Sequence, residues 1–513
     1  MERVHHPGQT ALARTLVLAA AVLALAAAPA AAQDLASFEK RLTEHRLPNG
    51  LTFLIYERPG APVVSFYTHV NVGAAQEVPG ITGMAHMFEH MAFKGTTVIG
   101  TNDWPAEKVA LDKVETSWDA LYAERTKIGG GDPARLKELE KAFKDAQEAA
   151  DRYIVKNEFG DIIDRQGGTG MNASTGSDQT NYFYSLPANK VELWAYLESE
   201  RFRDPVFREF YKERDVVMEE RRLRTESQPT GRLMEQFLAT AFVAHPYKQP
   251  VVGYMSDLQS FSATDAKAFY AKYYVPSNIV IAIVGDVKAK EIIPILDKYF
   301  GRLQKGETPA PLRTVEPKAI AEKQVLKPDK SQPVYMEGYH RAAVTSPEDP
   351  TYQALAEVLG TGRTSRLYRS LVRDQKVAVQ ASVFPTFPGG KYPPLMVFFG
   401  IPAPGRSNEE VQAAIRVEIE KIKNEPVTDE ELAMVKSRAK ASLVRGLQSN
   451  MGIARQLGVA QTIYGDWREM FTGVTEIDAV TKEDIQRVAK ATFVPDNRTV
   501  AMIVNEDAKT AKN

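Results

Sequence analysis

After the turn signal Pro48-Asn49-Gly50, two stretches rich in β-branched and aromatic residues, Leu51 to Tyr56 and Val63 to Val72, predict a pair of strands. The pattern changes between Gly80 and Gly95, where Met84, Phe88 and Met91 recur at helical spacing and mark one apolar face. From about Trp104 to Asn157 the chain is charge-rich and helical on both sides of Gly129-Gly130-Gly131-Asp132-Pro133. That layout predicts a projecting helical hairpin with a sharp turn, its Lys and Glu runs forming solvated faces rather than a binding patch.

A longer-range pattern sets the domain plan. Ser262-x-x-Asp265 opens a helix that runs to Tyr274-Val275-Pro276-Ser277-Asn278 and then the apolar strand Ile279 to Val284. Thr481-x-x-Asp484 opens another, which runs to Phe493-Val494-Pro495-Asp496-Asn497 and the strand Thr499 to Val504. Residues 262, 275 and 278 thus recur at 481, 494 and 497, a constant offset of 219. Each copy begins with a capping box and ends in Val-Pro-x-Asn before a strand, so two related units are expected. Prolines at 309, 311, 317 and 328 among charged residues suit an extended linker between them. The expected fold is α+β, with two related α/β-sandwich-like domains in tandem and the helical hairpin inserted in the first. The expected boundaries are residues 33–303, a linker at 304–323, and 324–513.

Composition narrows the chemistry. A length of 513 residues exceeds one compact core. Lys plus Arg (64) nearly equals Asp plus Glu (65), so no global field favours nucleic acid or an anionic membrane. The chain has no cysteine, which excludes disulfides, thiolate metal sites and thiol nucleophiles. Any metal must therefore be held by nitrogen and oxygen. Residues 1–32 read as a secretory signal, with Arg3 and Arg14, an apolar run from Leu16 to Leu25, and Ala30-Ala31-Ala32 before Gln33. The expectation is an exported protein, periplasmic or secreted, with no membrane span once the signal is removed.

His86-Met87-Phe88-Glu89-His90 carries the chemistry. Positions four apart share a helix face, so two imidazoles can reach one metal with Glu89 beside them. A catalytic zinc site uses three protein ligands and an open position, and zinc lowers the pKa of its water enough for a carboxylate to take the proton. With 8 histidines in the chain, chance would give this pentapeptide in roughly one per cent of such sequences. The third ligand is open on spacing alone. Phe207 to Arg224 offers Glu209, Glu213, Asp215, Glu219 and Glu220, of which Glu213 and Glu220 lie seven apart on one face.

The stretch from His86 through Met91-Ala92-Phe93-Lys94-Gly95-Thr96 resembles the pitrilysin or insulinase family of inverted-motif zinc peptidases, which includes the mitochondrial processing peptidases. Agreement extends to Leu47-Pro48-Asn49-Gly50-Leu51, Asn172-Ala173-Ser174-Thr175 with Tyr182, Glu213 to Glu220, and His245-Pro246-Tyr247 with Gly253. The resemblance implies one Zn²⁺ per chain on His86, His90 and Glu220, with Glu89 as general base and Glu213 as supporting carboxylate. It also implies that Asn172 and Ala173 lie by an edge strand to which a peptide adds. Two departures accompany it. The span from His90 to Glu220 is lengthened by the hairpin. In the second domain Arg373 fits a substrate-contacting arginine, but Gln380 stands where a tyrosine is usual. Two domains make half of the family's four-domain clamshell, which implies a homodimer, or a heterodimer with a sister subunit lacking the zinc motif. The implied activity is zinc-dependent endopeptidase action on peptides or unfolded small proteins. The alternatives are a non-catalytic scaffold or partner subunit, and a metal-binding protein without hydrolytic function.

Overall fold

A computed structural model describes residues 35–505. The expected signal, residues 1–32, lies outside them. The described residues up to Leu42 belong to a unit of their own and hold a short helix, Leu35–Glu39.

The rest of the chain builds two sheets. The first has strands β1 (Leu42–Arg46), β2 (Thr52–Glu57), β3 (Val63–Val70), β4 (Thr169–Thr175), β5 (Thr180–Pro187) and β6 (Ile279–Gly285), in the order β1-β2-β6-β3-β5-β4. Strand β6 runs parallel to β2 and antiparallel to β3, and β4 forms an edge, paired only to β5. The helices that matter here are α1 (Met84–Met91), α2 (Trp104–Arg125), α3 (Pro133–Asp151), α4 (Glu158–Arg165), α5 (Val191–Arg203), α6 (Phe210–Arg221), α7 (Pro229–Ala241), α8 (Ala263–Tyr273) and α9 (Ala289–Phe300).

Period-two alternation gives β3 two faces. Val64, Phe66 and Val70 join the main core, where Phe66 stacks on Trp194 of α5 with ring centres 4.2 Å apart.

The second sheet comprises β7 (Lys323–Asp329), β8 (Val334–His340), β9 (Ala378–Phe387), β10 (Leu395–Pro402) and β11 (Arg498–Asn505), in the order β7-β11-β8-β10-β9. Helices α10 (Asp349–Gly360), α11 (Asn408–Asn424), α12 (Asn450–Tyr464) and α13 (Lys482–Thr492) belong to this part of the chain. One face of the sheet, with Tyr335, Tyr339, Phe398 and Val500, shares a core with α10, α11 and α13.

The outer faces are covered by exchange. Leu233, Phe237 and Ala241 of α7, which belongs to the first half of the chain, pack with Met336, Val397 and Ile503 of the second sheet. In return α12 from the second half lies on β3 and β6, and a Cβ added at Gly458 would stand 3.2 Å from the Tyr67 ring and 3.6 Å from His69.

The internal repeat has a physical basis. Ser262 and Thr481 both close capping boxes, with Asp265 and Asp484. Asn278 then donates to the carbonyl of Tyr273 (2.9 Å), and Asn497 to that of Thr492 (3.0 Å). In each copy this amide ties the end of a helix to the start of a central strand. Residues 304–320 form neither helix nor strand, and Pro328 lies inside β7. An edge strand tolerates it because its missing N–H need not face a neighbour.

The hairpin forms as expected, with Asp103 and Asp132 capping its helices through Ala106 and Arg135. It does not project freely. Trp118 is buried under the Arg214 guanidinium of α6 at 4.2 Å, and Tyr211 of α6 donates to Glu115 at 2.6 Å. Arg208 and Glu107, each at most 1% exposed, form an ion pair at 2.8 Å.

Candidate metal centre

Helix α1 starts at Gly83, whose φ of +94° and packing against Gly253 leave no room for a side chain. The buried Glu77 carboxylate accepts from the N–H groups of Gly83 (2.8 Å) and Ala85 (2.7 Å), so a side chain from outside the helix supplies its cap. Burial pushes that carboxyl up to about 8, against the backbone donors that favour its ionised form. Met84, Met87, Phe88 and Met91 bury the apolar side of α1 and turn its other side towards α6.

The polar side carries His86 and His90, with ring centres 4.9 Å apart and nearly perpendicular. Opposite them on α6, Glu220 Oε2 lies 3.2 Å from His90 Nε2 and 3.7 Å from His86 Nε2. Two imidazoles and one carboxylate thus offer donor atoms that all lie within 4.8 Å of one another. Tetrahedral zinc with bonds of about 2.0–2.1 Å has donor-to-donor edges of about 3.3 Å, so this set fits such an ion. The side chains of His86 and Glu220 are 9% and 15% exposed, and His86 Nδ1 has no hydrogen-bond partner. The facing donor atoms, Nε2 of His86, Nε2 of His90 and Oε2 of Glu220, are spaced to fit a cation between them.

The surroundings fix the rings. Glu213, two turns before Glu220, places Oε2 at 3.5 Å from His90 Nδ1, leaving Nε2 towards Glu220. Its other oxygen accepts from Lys94 Nζ at 2.5 Å, and Lys94 also pairs with Glu209 at 3.1 Å. The remaining oxygen of Glu220 meets the Arg224 guanidinium at 2.5 Å. Burial, together with the adjacent His90, holds the His86 ring below its ordinary pKa, although Glu220 and Glu89 pull the other way. The hydrogen bond to Glu213 holds His90 above its ordinary value despite burial. Glu213 is held low, because bonds from His90 and Lys94 outweigh its burial. Glu89 lies on the same helix, one residue before His90, and its charge acts on both rings.

The other expected residues fall in different places. Asn172 and Ala173 sit on the edge strand β4, beside α1, opposite Phe183 and Tyr182 of β5. Asn172 is exposed, and its side-chain oxygen accepts from the Ala173 N–H at 2.8 Å. Arg373 is not brought to the cluster: it is exposed and pairs with its neighbour Asp374 at 2.7 Å. Gln380 lies on β9, the edge strand of the second sheet, also exposed. Lys94 and Arg224 escaped the reading of the sequence as site residues. Each stands four positions after a named ligand, His90 and Glu220, and that spacing was the available signal.

The chain is similar to known peptidases in sequence and in fold. The profile of the insulinase family (peptidase family M16) matches residues 52–108, and that of the peptidase M16 inactive domain matches residues 260–439. The chain is 28% identical over 402 residues to the zinc protease PqqE of Helicobacter pylori, covering 75% of this chain and 74% of that one. A crystal structure of a protease from Helicobacter pylori superposes with a TM-score of 0.75 at 25% identity, covering 90% of this chain and 99% of that one. The periplasmic protease PqqL from Escherichia coli gives a TM-score of 0.68 at 17% identity, covering 92% of this chain but 48% of that one.

Proposed function

From the premise that this chain belongs to the insulinase family of peptidases, we propose that it is a zinc-dependent endopeptidase acting on peptides or unfolded small proteins. The observation that carries the reading is the meeting of His86, His90 and Glu220 beside Glu89 and next to a free strand edge. His86, His90 and Glu220 would hold the metal. When bound, zinc polarises a carbonyl and lowers the pKa of a water to about 7. Glu89 takes a proton from the attacking water and delivers it to the leaving amine. Glu213 fixes the His90 ring, and Lys94 fixes Glu213.

Strand β4 receives the substrate as an added strand, with Asn172 and Ala173 along the outer edge. Main-chain pairing of this kind tolerates many sequences. Arg373 engages the substrate only from a second domain that closes over the first sheet, and Gln380 would donate to the developing oxyanion where a tyrosine is usual. That requirement favours a dimer, homomeric or with a sister subunit, closing a chamber around an unfolded chain. The first 32 residues direct export, and none of the described helices is long and apolar enough to cross a membrane.

A non-catalytic reading draws on the match of residues 260–439 to an inactive-domain profile. The motif helix lies outside that segment, in the stretch matched by the insulinase profile. The deciding experiment uses a quenched-fluorescent peptide library, with and without a chelator. Glu89→Gln should lower turnover by about 10²–10⁴-fold with zinc content intact. Undiminished turnover in that variant removes Glu89 from the mechanism, and chelator-insensitive turnover removes the metal.

A further inference from the structure

Arg221, the residue after Glu220 on α6, takes no part in the proposed chemistry, yet its side chain is 7% exposed and reaches three separate pieces of chain. Both of its terminal nitrogens donate to the Glu235 carboxylate of α7, at 2.8 and 3.1 Å. Nη1 also donates to the carbonyl of Gly253 at 2.7 Å, and Nε donates to Glu226 at 3.1 Å. Desolvation offsets much of the attraction in a buried ion pair, whereas a two-point fork fixes direction as well as distance.

The bond to Gly253 links this arginine to the other ligand-bearing helix. Gly253 lies against the start of α1, where a Cβ added at Gly83 would stand 3.0 Å from its Cα. The N–H of the next residue, Tyr254, donates to Thr82 Oγ1 at 2.9 Å. Gly83 is the N-cap of α1, three positions before His86. One guanidinium thus ties the end of α6, beside Glu220, to the turn from which His86 and His90 are presented. On its other side Glu235 belongs to α7, whose Leu233, Phe237 and Ala241 are packed with the second sheet. The brace is therefore anchored where the two halves of the chain meet.

We infer that Arg221 is a positioning residue for the metal centre: oriented by Glu235, it sets the distance between α6 and the start of α1, and with it the approach of Glu220 to the two imidazoles. The inference rests on the zinc reading of the cluster and extends it to a pair of residues that bind neither metal nor substrate. Such constellations must be held to within about 0.5 Å, so a small shift of α6 against α1 reaches the metal before it unsettles the fold.

The test uses the full chain, free of metal and then loaded with Zn²⁺ or Co²⁺. Arg221→Lys keeps the charge but replaces the fork by a single point, and Glu235→Gln keeps the shape but removes the charge. Each should weaken zinc binding about tenfold and alter the visible bands of bound Co²⁺, which report ligand geometry, with the circular dichroism of the wild type. Ile415→Ala, in the separate core of the second sheet, should unfold at lower urea concentration yet keep the wild-type zinc affinity and cobalt spectrum. Glu235→Gln leaves Arg221 its bonds to Gly253 and Glu226, and carries the test if Arg221→Lys does not fold. A folded variant of either residue with wild-type zinc affinity and an unaltered cobalt spectrum overturns this inference alone, and so does an equal loss of affinity in Ile415→Ala. Failure of the wild type to bind Zn²⁺ overturns the metal reading beneath it.

Discussion

Replacing Glu213 by glutamine isolates the support of the metal centre from its ligands. Glu213 touches no donor atom of the proposed zinc directly. It lies 3.5 Å from His90 Nδ1 and 2.5 Å from Lys94 Nζ. Glutamine keeps the shape but removes the charge, and its amide group competes with Lys94 as a donor. The His90 ring then loses the acceptor that fixes its tautomer and orientation. Losing such a partner typically weakens a metal site by 10–100-fold, about 1.4–2.7 kcal/mol. Glu220→Gln removes a ligand and should weaken binding further. Glu219→Gln should change nothing, because Glu219 is 58% exposed and pairs with Arg222 on the helix surface. Zinc affinity measured by competition with a chromophoric chelator at neutral pH gives all three values, with circular dichroism to confirm the fold. Wild-type affinity in Glu213→Gln, or equal losses in Glu213→Gln and Glu219→Gln, would refute the assignment.

Three further outcomes follow from packing and charge. Phe237→Ala empties a position shared by α7 and the second sheet, and should cost about 3–5 kcal/mol, read from urea unfolding. Because α7 and α12 interlock the halves, the loss should appear in one transition; two separated transitions would contradict the exchange. Arg208→Met leaves Glu107 buried and unpaired, and should destabilise by about 3–5 kcal/mol, whereas the double change with Glu107→Leu should recover only the part owed to the unpaired carboxylate, because Arg208 also donates to the carbonyls of Lys94, Thr96 and Ile99. His69 is buried with its pKa lowered from 6.5 to about 3, by burial first and by Lys391 second. Between those values the unfolded chain binds the extra proton, so stability is lost as pH falls through that window, by up to about 1.4 kcal/mol per unit. Urea midpoints near pH 5 and pH 7 should differ more in the wild type than in His69→Gln; equal differences would show that another group governs the slope.

Local features were legible in the sequence, and exchanged ones were not. The motif helix, the glutamates seven apart, the hairpin turn and the repeated Val-Pro-x-Asn all follow from spacing and turn chemistry within short windows. The structure adds why the last recurs, since Asn278 and Asn497 make the same helix-to-strand bond. The destination of α7 and α12 was hidden. An amphipathic helix reveals that it has an apolar face but not which sheet that face meets. Lys94 was hidden differently, because it follows the last helical residue and its acceptors lie more than a hundred positions away. The inner face of the hairpin escaped because Lys and Glu outnumber the few buried residues, such as Trp118 and Phe143, that anchor it.

The crossing of α7 and α12 sets an order of events during synthesis. Residues 450–464 are translated long after β3 has left the ribosome, yet they close the side of that strand that carries Tyr67 and His69. A nascent first half cannot finish on its own timetable and must wait, loosely held, for a late arrival. Any attempt to express it alone should therefore yield a sticky fragment that becomes well behaved when the remainder is supplied in trans.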